Sequence, residues 1–177
     1  DKDILLNLGE PDQFGYSVSL DGNRLAVGSR YSGTEGLNDK QGKVYLFTFT
    51  DHEFTALELA ATICDGCTPD SDDSTEQTAN SINQTLGNSD YFGEAVSLDG
   101  TRLAVAAKED DSFSDSGCSG CGAVFLYNFD DSSFAGGELA GTIGSGYTNA
   151  NSAGDSNYDQ SEDTTANSNA LLEANDL

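Results

Sequence analysis

Four cysteines are the residues of this chain whose type and spacing are best suited to chemistry. Cys64 and Cys67 form one C-x-x-C pair, and Cys118 and Cys121 form the other. Four thiolates at this spacing can hold zinc in a tetrahedral site. Both pairs, however, lie in loops rich in Ser, Gly and Asp in a chain with the character of a secreted protein, where thiols oxidise. We therefore expect structural disulfides, most simply paired within each motif, with pairing across the motifs or a zinc site as alternatives.

An acidic stretch provides a second group of candidate ligands. Glu109, Asp110, Asp111 and Asp115 lie close together along the chain. Ca²⁺ prefers carboxylate oxygens, but it needs about six to eight oxygen ligands, and this spacing matches no calcium-binding motif. A solvated acidic loop is the simpler interpretation, and a weak calcium site is the alternative. We expect that the protein requires no cofactor.

Several hydroxyl and amide side chains are candidates for glycosylation. Asn83-Gln84-Thr85 is the only N-x-S/T sequon in the chain. A stretch rich in Ser and Thr beside Pro69 resembles an O-glycosylated segment. Its candidate acceptors are Thr68, Ser71, Ser74, Thr75 and Thr78. The alternative is that the sequon is unused and that the stretch is a disordered polar linker.

Signatures of catalysis are missing from the sequence. The single histidine, His52, follows Asp51 in a predicted turn, which indicates a solvated side chain and not a general base. No G-x-S-x-G elbow, P-loop, G-x-G-x-x-G or H-E-x-x-H motif occurs. With 31 acidic residues, some carboxylates must lie close together, so such proximity alone does not indicate a glycosidase. We expect that the protein is not an enzyme.

The charge of the chain limits its partners. Seven basic residues against 31 acidic residues give a formal net charge of −24. Such a chain repels both a phosphate backbone and an anionic membrane surface, so nucleic acid is excluded as a partner. No apolar stretch reaches the length of about 18 residues that predicts a membrane span. Together with the cysteine pattern, these features predict an extracellular protein, secreted or at the cell surface.

An internal repeat is the most informative feature of the sequence. Residues 18–27 recur as residues 96–105, and the two stretches differ only at Asn23 and Thr101. Two further matches follow downstream, residues 42–47 with 122–127 and residues 58–63 with 138–143. The chain therefore contains two similar units of about 80 residues each, including long insertions.

Within each unit the pattern predicts strands. Apolar residues alternate with small polar ones along Phe14–Leu20, which indicates a half-buried strand. Asp21-Gly22 predicts a tight hairpin turn into a second strand, Arg24–Ser29. A third strand is predicted at 43–50 and a fourth at 54–63, although the Ala, Leu and Glu residues of the fourth also fit a helix. Four antiparallel strands per unit are typical of one β-propeller blade.

Four aromatic residues lie within these predicted strands. They are Tyr16, Phe47, Phe92 and Phe125. At strand spacing we interpret all four as core residues, with sugar-stacking platforms as the alternative.

The opening of each unit carries a family resemblance. Asp12-Gln-Phe14-Gly15-Tyr-Ser-Val18 and Asp90-Tyr-Phe92-Gly93-Glu-Ala-Val96 resemble the D-x-F-G-x-S-V opening of FG-GAP repeats, which occur in the integrin α head. The resemblance implies β-propeller blades, an extracellular location, and adhesion, matrix or ligand binding. It does not imply catalysis. The calcium loop of integrin-type repeats is not carried over, because Asp21-Gly22-Asn23 and its counterpart offer a single carboxylate each.

These features predict an all-β chain of two four-stranded antiparallel propeller-type blades with long acidic arms rich in Ser and Thr. The blades are predicted at 1–63 and 82–143, a linker at 64–81 and a C-terminal arm at 144–177. Propellers typically contain about four to eight blades, so two blades leave strand edges open. We expect the missing partners to be other copies of the chain or further FG-GAP repeats.

Two functions fit this organisation. The first is a self-assembling, glycosylated structural subunit of an extracellular fibre or matrix. The alternative is an adhesion module within a larger propeller, which binds a glycan or a protein. Size in solution separates them, because only the structural subunit should form large assemblies by itself.

Overall fold

The computed structural model of the protein describes residues 3–6, 8–33, 40–67, 78–111, 119–145 and 147. In these residues the chain is all-β, as predicted, with nine strands in two sheets. The first sheet contains, in spatial order, β1 (Phe14–Asp21), β2 (Arg24–Ser29), β3 (Lys43–Thr48), β4 (Glu58–Cys64) and β5 (Ile82–Asn83). The second contains β6 (Phe92–Asp99), β7 (Arg102–Ala107), β8 (Ala123–Asn128) and β9 (Glu138–Gly144). We call β1–β4 unit 1 and β6–β9 unit 2.

The hairpin turn predicted in each unit is confirmed. Asp21 pairs with Arg24, so the loop between β1 and β2 is two residues long. Gly22 adopts φ +55, which a residue with a side chain rarely does, and this geometry matches the twist of the adjoining strands. Gly100 repeats the turn in unit 2 with φ +57.

The fourth strand of each unit begins later than predicted. In unit 1 it starts at Glu58 and not at residue 54, because Phe54 and Ala56 adopt positive φ values of 60 and 51 in a turn. The Asp51 carboxylate holds this turn by accepting hydrogen bonds from the backbone N–H groups of Glu53 and Thr55, at 2.9 and 3.1 Å. The helical alternative for this stretch is not observed.

The prediction of two four-stranded sheets is wrong for the first sheet, which has five strands. The short strand β5, Ile82–Asn83, pairs in parallel with Ile63 and Cys64 of β4. Its residues precede unit 2 in the chain, so this segment joins the two units. Both sheets are open, and the described residues do not form a closed propeller.

One face of unit 1 packs against one face of unit 2 and forms the main core. Unit 1 contributes small and aliphatic residues to it, and unit 2 contributes larger ones. The unit 1 members are Ala26, Val44, Leu46, Ala61 and Ile63, and the main unit 2 members are Phe92, Leu98, Leu103, Val105, Phe125 and Tyr127. Phe92 and Phe125 are therefore core residues, as predicted, and Phe47 is buried in a second, smaller cluster.

The prediction that Tyr16 lies in the core is wrong. Tyr16 is 46% exposed, and its hydroxyl bonds Glu94 of unit 2. The apolar residues that follow it along β1 are exposed as well, Val18 at 64% and Leu20 at 56%. The physical reason is that the β1–β2 ladder is irregular between Phe14 and Ser17, so the alternation is interrupted at Tyr16. Beyond this irregularity β1 turns its serines toward unit 2, and Val18 and Leu20 point away from it. In the described part of the chain no second sheet covers the apolar face of β1.

Candidate interaction surface at the junction of the two units

The two units meet along their innermost strands, β1 and β6. The Ser17 hydroxyl donates a hydrogen bond of 2.7 Å to the Gly93 carbonyl. The Ser19 hydroxyl accepts one of 3.0 Å from the Leu98 N–H. These contacts explain why β1 turns Ser17 and Ser19, and not Val18 and Leu20, toward unit 2: the serines satisfy backbone groups of the adjoining strand.

At the hairpin turns, the charged side chains of Asp21 and Arg24 bond the backbone of unit 2. The Asp21 carboxylate accepts a hydrogen bond of 2.8 Å from the Gly100 N–H. Arg24 donates to the Gly100 carbonyl and also pairs with Asp21. The Arg24 guanidinium lies over the ring of Phe134, 5.8 Å from its centroid. Arg24 and Phe134 are both buried, so this contact is shielded from water.

An ion pair crosses the junction at the opposite end of β1. Arg30 of unit 1 pairs with Glu94 of unit 2 at 2.8 Å. The Arg30 guanidinium also lies 3.7 Å from the ring centroid of Tyr16, whose hydroxyl donates to Glu94. Desolvation lowers the pKa of Arg30, but the hydrogen bond to Glu94 and the charge of Glu94 act against it, and the pKa is raised overall.

Close backbone approach is the third feature of the junction, and it requires glycine. A β-carbon at Gly28 would lie 2.1 Å from the Gly93 oxygen, and one at Gly42 would lie 2.0 Å from the Phe92 oxygen. Gly93 itself has φ +86 and lies in an irregularity of the β6–β7 ladder between Phe92 and Ala95. The Phe-Gly step therefore forms a bulge that brings its backbone against unit 1.

The comparison with known families agrees with this arrangement. The FG-GAP repeat family matches residues 9–47 and 86–127, which include the Phe-Gly step, the first two strands of each unit and all but the last residue of the third. The chain carries two tandem FG-GAP repeats. Units 1 and 2 are these repeats, and the predicted family is confirmed. No curated protein matches the chain at a significant level.

The sequence did not predict the residues that hold the two FG-GAP repeats together. Arg24, Gly28 and Phe134 were not singled out, because nothing in their types indicated a contact between units. One signal was available: Arg24 and its counterpart Arg102 occupy the same position in a chain with only seven basic residues. Such retention of a rare residue type favours a structural role.

The cysteines of the first FG-GAP repeat form a disulfide. Cys64 and Cys67 are bonded to each other, with their α-carbons 5.3 Å apart. The bond closes the loop that follows β4, and Cys67 is fully buried. Cys121 is also disulfide-bonded, whereas Cys118 lies outside the described residues. The alternative of a zinc site made by all four cysteines is therefore wrong, since the sulfurs of Cys64 and Cys67 are already bonded to each other.

The acidic loop of the second repeat uses its carboxylates as hydrogen-bond acceptors. Asp110 is buried and accepts hydrogen bonds of 2.9 and 3.0 Å from the Tyr147 hydroxyl. Asp111 accepts from the backbone N–H of Gly120 at 2.8 Å, and Glu109 pairs with Lys108. Within the described residues, no group of three or more acidic, His or Cys side chains could hold a metal ion. The fourth candidate, Asp115, lies outside them.

A buried carboxyl at the start of the second repeat has an unusual environment. Asp90 caps the preceding turn by accepting a hydrogen bond of 2.6 Å from the Gly87 N–H. Burial raises the pKa of Asp90 from 3.8 to about 6, against the lowering effect of this hydrogen bond, and the nearby carboxylates Asp110 and Asp111 raise it further. Asp12 makes the same bond to Gly9 in unit 1, at 2.7 Å, but is not buried.

The candidate glycosylation residues lie in contrasting places. Asn83 is exposed on β5, and its side-chain oxygen accepts a hydrogen bond of 2.8 Å from the Gly66 N–H. The Thr78 hydroxyl instead donates to the Ala60 carbonyl, so it serves the loop and is a poor acceptor for a sugar. The remaining candidates, Thr68, Ser71, Ser74 and Thr75, lie outside the described residues.

His52 is exposed in the turn between β3 and β4, where a solvated histidine was expected. In the described part of the chain, no helix is long and apolar enough to cross a membrane.

Proposed function

We propose that the chain is a non-enzymatic, extracellular structural protein, a self-assembling subunit of a surface fibre or matrix built from FG-GAP repeats. One observation supports this function above all others. The outward face of β1 presents three apolar side chains that are exposed to solvent along one strand. These side chains are Phe14, Val18 and Leu20.

Such a face favours association. Burial of apolar surface contributes roughly 25 cal/mol for each Å², so three exposed apolar side chains provide a substantial driving force. Contiguous apolar patches of this kind on soluble proteins mark sites of protein contact. A net charge of −24 acts in the opposite sense, because it keeps separate copies apart at low ionic strength. Assembly should therefore strengthen as salt screens this repulsion.

The extracellular setting is supported by the Cys64–Cys67 disulfide, since such bonds persist in oxidising surroundings. A glycan on the exposed Asn83 fits the same setting. Calcium is not required in this function, and the acidic loop acts through its hydrogen bonds to the surrounding chain. The absence of catalysis is part of the proposal, and the exposed His52 and the structural bonds of Asp110 and Asp111 support it.

The full chain, purified with its disulfides intact, provides the test. Light scattering coupled to size-exclusion chromatography measures its mass in 150 mM salt and again at ten times lower salt. We expect species of many copies at the higher salt and smaller ones at the lower salt. A monomer at every concentration and salt level would contradict self-assembly.

An adhesion module within a larger propeller is the second candidate. The open sheets favour it, because additional FG-GAP repeats would continue the packing already formed between units 1 and 2. For this function we expect the isolated chain to stay monomeric, and to acquire a defined binding surface only when further repeats are joined to it.

A further inference from the structure

The outward faces of unit 1 and unit 2 are complementary. Each corresponds to one of the two surfaces that pack together in the junction. Each position on the exposed face of unit 1 has a counterpart in unit 2 that unit 1 covers. Leu20 is 56% exposed, whereas its counterpart Leu98 is 7% exposed. Phe14 is exposed, whereas its counterpart Phe92 is fully buried. Unit 1 thus presents to solvent the surface that, in unit 2, lies inside the junction.

The face of unit 2 that points away from unit 1 is also more exposed than its counterpart. In this case the covered counterpart belongs to unit 1. Val44, Leu46 and Ile63 of unit 1 are fully buried because they pack on unit 2. Their counterparts in unit 2 are only half-buried. These counterparts are Val124, Leu126 and Ile143. Unit 2 therefore carries the small aliphatic face that, in unit 1, forms the other side of the junction.

The residues that make the polar contacts of the junction also have exposed counterparts. Arg24 lies over Phe134 inside the junction, with its side chain 10% exposed. Its counterpart in unit 2, Arg102, has a side chain that is 72% exposed. The counterpart of Phe134 is Phe54, which is 43% exposed. One molecule thus has an exposed arginine at one end and an exposed phenylalanine at the other.

The outer edges of β4 and β9 differ in the same sense: one is covered within the molecule and the other is open. Ile82–Asn83 covers the outer edge of β4 by pairing with Ile63 and Cys64. In the described part of the chain, the matching edge of β9 has no strand beside it. The counterparts of Ile82 and Asn83 are Ile4 and Leu5, and Leu5 is 90% exposed. Ile4 packs on the small cluster of unit 1, as Ile82 packs on the main core, and neither Ile4 nor Leu5 is paired in a sheet of its own molecule, so both can pair with β9 of another molecule.

We propose that a second copy of this chain docks head to tail, with the Val124–Leu126 face of its unit 2 on the Phe14–Leu20 face of unit 1. This inference rests on the proposed self-assembly and names its interface. Arg102 of one copy lies over Phe54 of the next, and Ile4–Leu5 extends the sheet of the preceding copy beyond β9. Because the contact joins two different faces, it leaves a free face at each end and builds a ring or a filament.

One difference in sequence between the units affects the contact between copies. Ala106 occupies the position of Gly28, at which a β-carbon would meet the Gly93 carbonyl. The counterpart of Gly93 is Gly15, so a docking that copied the internal junction would press Ala106 against the Gly15 backbone. The intermolecular contact is therefore wider at this corner than the internal one.

Two variants that each block one face provide the test. Val18→Asp places a charge on the face of unit 1, and Leu126→Asp places one on the face of unit 2. Each variant keeps its other face intact. We expect each alone to be a monomer by sedimentation velocity, and an equimolar mixture to form a species of twice the monomer mass that does not grow further. Ser132→Asp, in an exposed turn of unit 2 outside both faces, adds the same charge and should assemble like wild type.

The outcomes separate the interface from the function. If wild type assembles and both variants still assemble, the proposed interface is wrong while self-assembly stands. If wild type is a monomer, both proposals fail. A mixture that stays monomeric, with circular dichroism of both variants matching wild type, also overturns the head-to-tail contact. Should either variant unfold, Leu20→Asp and Arg102→Glu form an equivalent pair with the same expected result.

Discussion

Gly28 of β2 lies against the backbone of Gly93 in β6, so close that a β-carbon at position 28 would be 2.1 Å from the Gly93 carbonyl oxygen. The obstructing atom belongs to the backbone of another sheet, so it cannot move aside as a flexible side chain could. The packing of one FG-GAP repeat on the other therefore depends on the missing side chain at this position.

Gly28→Ala should separate the two repeats. We expect a loss of unfolding free energy at or above the upper end of the roughly 1–3 kcal/mol that overpacking costs, because two backbones must move apart. Urea unfolding followed by circular dichroism measures it. Gly141→Ala is the control, since a β-carbon there meets nothing within 4 Å, and alanine should be neutral or stabilising by about 0.5–1 kcal/mol. Equal unfolding midpoints for Gly28→Ala and wild type would contradict the close junction.

Ala106→Gly should strengthen the association between copies of the chain. Removing this β-carbon lets the intermolecular contact approach the geometry of the internal junction. We expect self-association to tighten about tenfold, the equivalent of about 1.4 kcal/mol of relieved overpacking, as measured by sedimentation equilibrium. Ala104→Gly is the matched control, because its counterpart Ala26 is also alanine and the methyl group fits there. Weaker association of Ala106→Gly than of wild type would contradict the proposed contact.

The strands and turns could be predicted from the sequence because their signals are local. The alternation along Phe14–Leu20 and the Asp21-Gly22 step each specify conformation within a few residues. The start of β4 was misplaced because positive φ at Phe54 and Ala56 is imposed by the Asp51 cap and not by residue type. Alternation likewise cannot tell which side of a strand a second sheet will cover.

Asp90→Asn should stabilise the protein at neutral pH. The pKa of Asp90 is raised from 3.8 to about 6 in the folded state, chiefly by burial. The stability that this group contributes is therefore fully present below pH 3.8 and is lost as the pH rises through about 6. A shift of about two units corresponds to at most about 3 kcal/mol. Asparagine keeps the acceptor for Gly87 and carries no charge, so the gain should appear at pH 7 and vanish near pH 3.5.

Urea unfolding at both pH values measures this difference. Asp12→Asn, at the matching and less buried position of unit 1, is the control and should change stability far less at either pH. A variant Asp90→Asn that is no more stable than wild type at pH 7 would show that the carboxyl is not desolvated in solution.

Thr85→Ala should abolish glycosylation of the chain at its single N-linked sequon. This variant removes the sequon and leaves the Asn83 side chain in its hydrogen bond with Gly66. Mass spectrometry of protein secreted from a host that adds N-linked sugars should show a glycan on wild type and none on the variant. Ser89→Ala, close in sequence and outside the sequon, is the control. An unmodified Asn83 in secreted wild type would contradict the prediction.

The junction could not be predicted because its contacts join residues about 76 to 79 positions apart, as with Ser17 and Gly93 or Asp21 and Gly100. Repeat matching aligned such positions but could not show which of two equivalent faces would be covered. The two repeats become different only when unit 1 packs on unit 2. This packing covers one face of each unit and leaves the other face of each unit exposed.

The most direct test of head-to-tail assembly is a photochemical cross-link from position 54. Phe54 is replaced by p-benzoyl-phenylalanine in the full chain, and isotopically labelled and unlabelled copies are mixed before irradiation. Mass spectrometry then identifies the residues joined between copies. The proposed contact predicts cross-links to the peptide around Arg102 of another copy. Cross-links between copies that join position 54 instead to the Val18–Leu20 face, or their complete absence from assembled material, would contradict it.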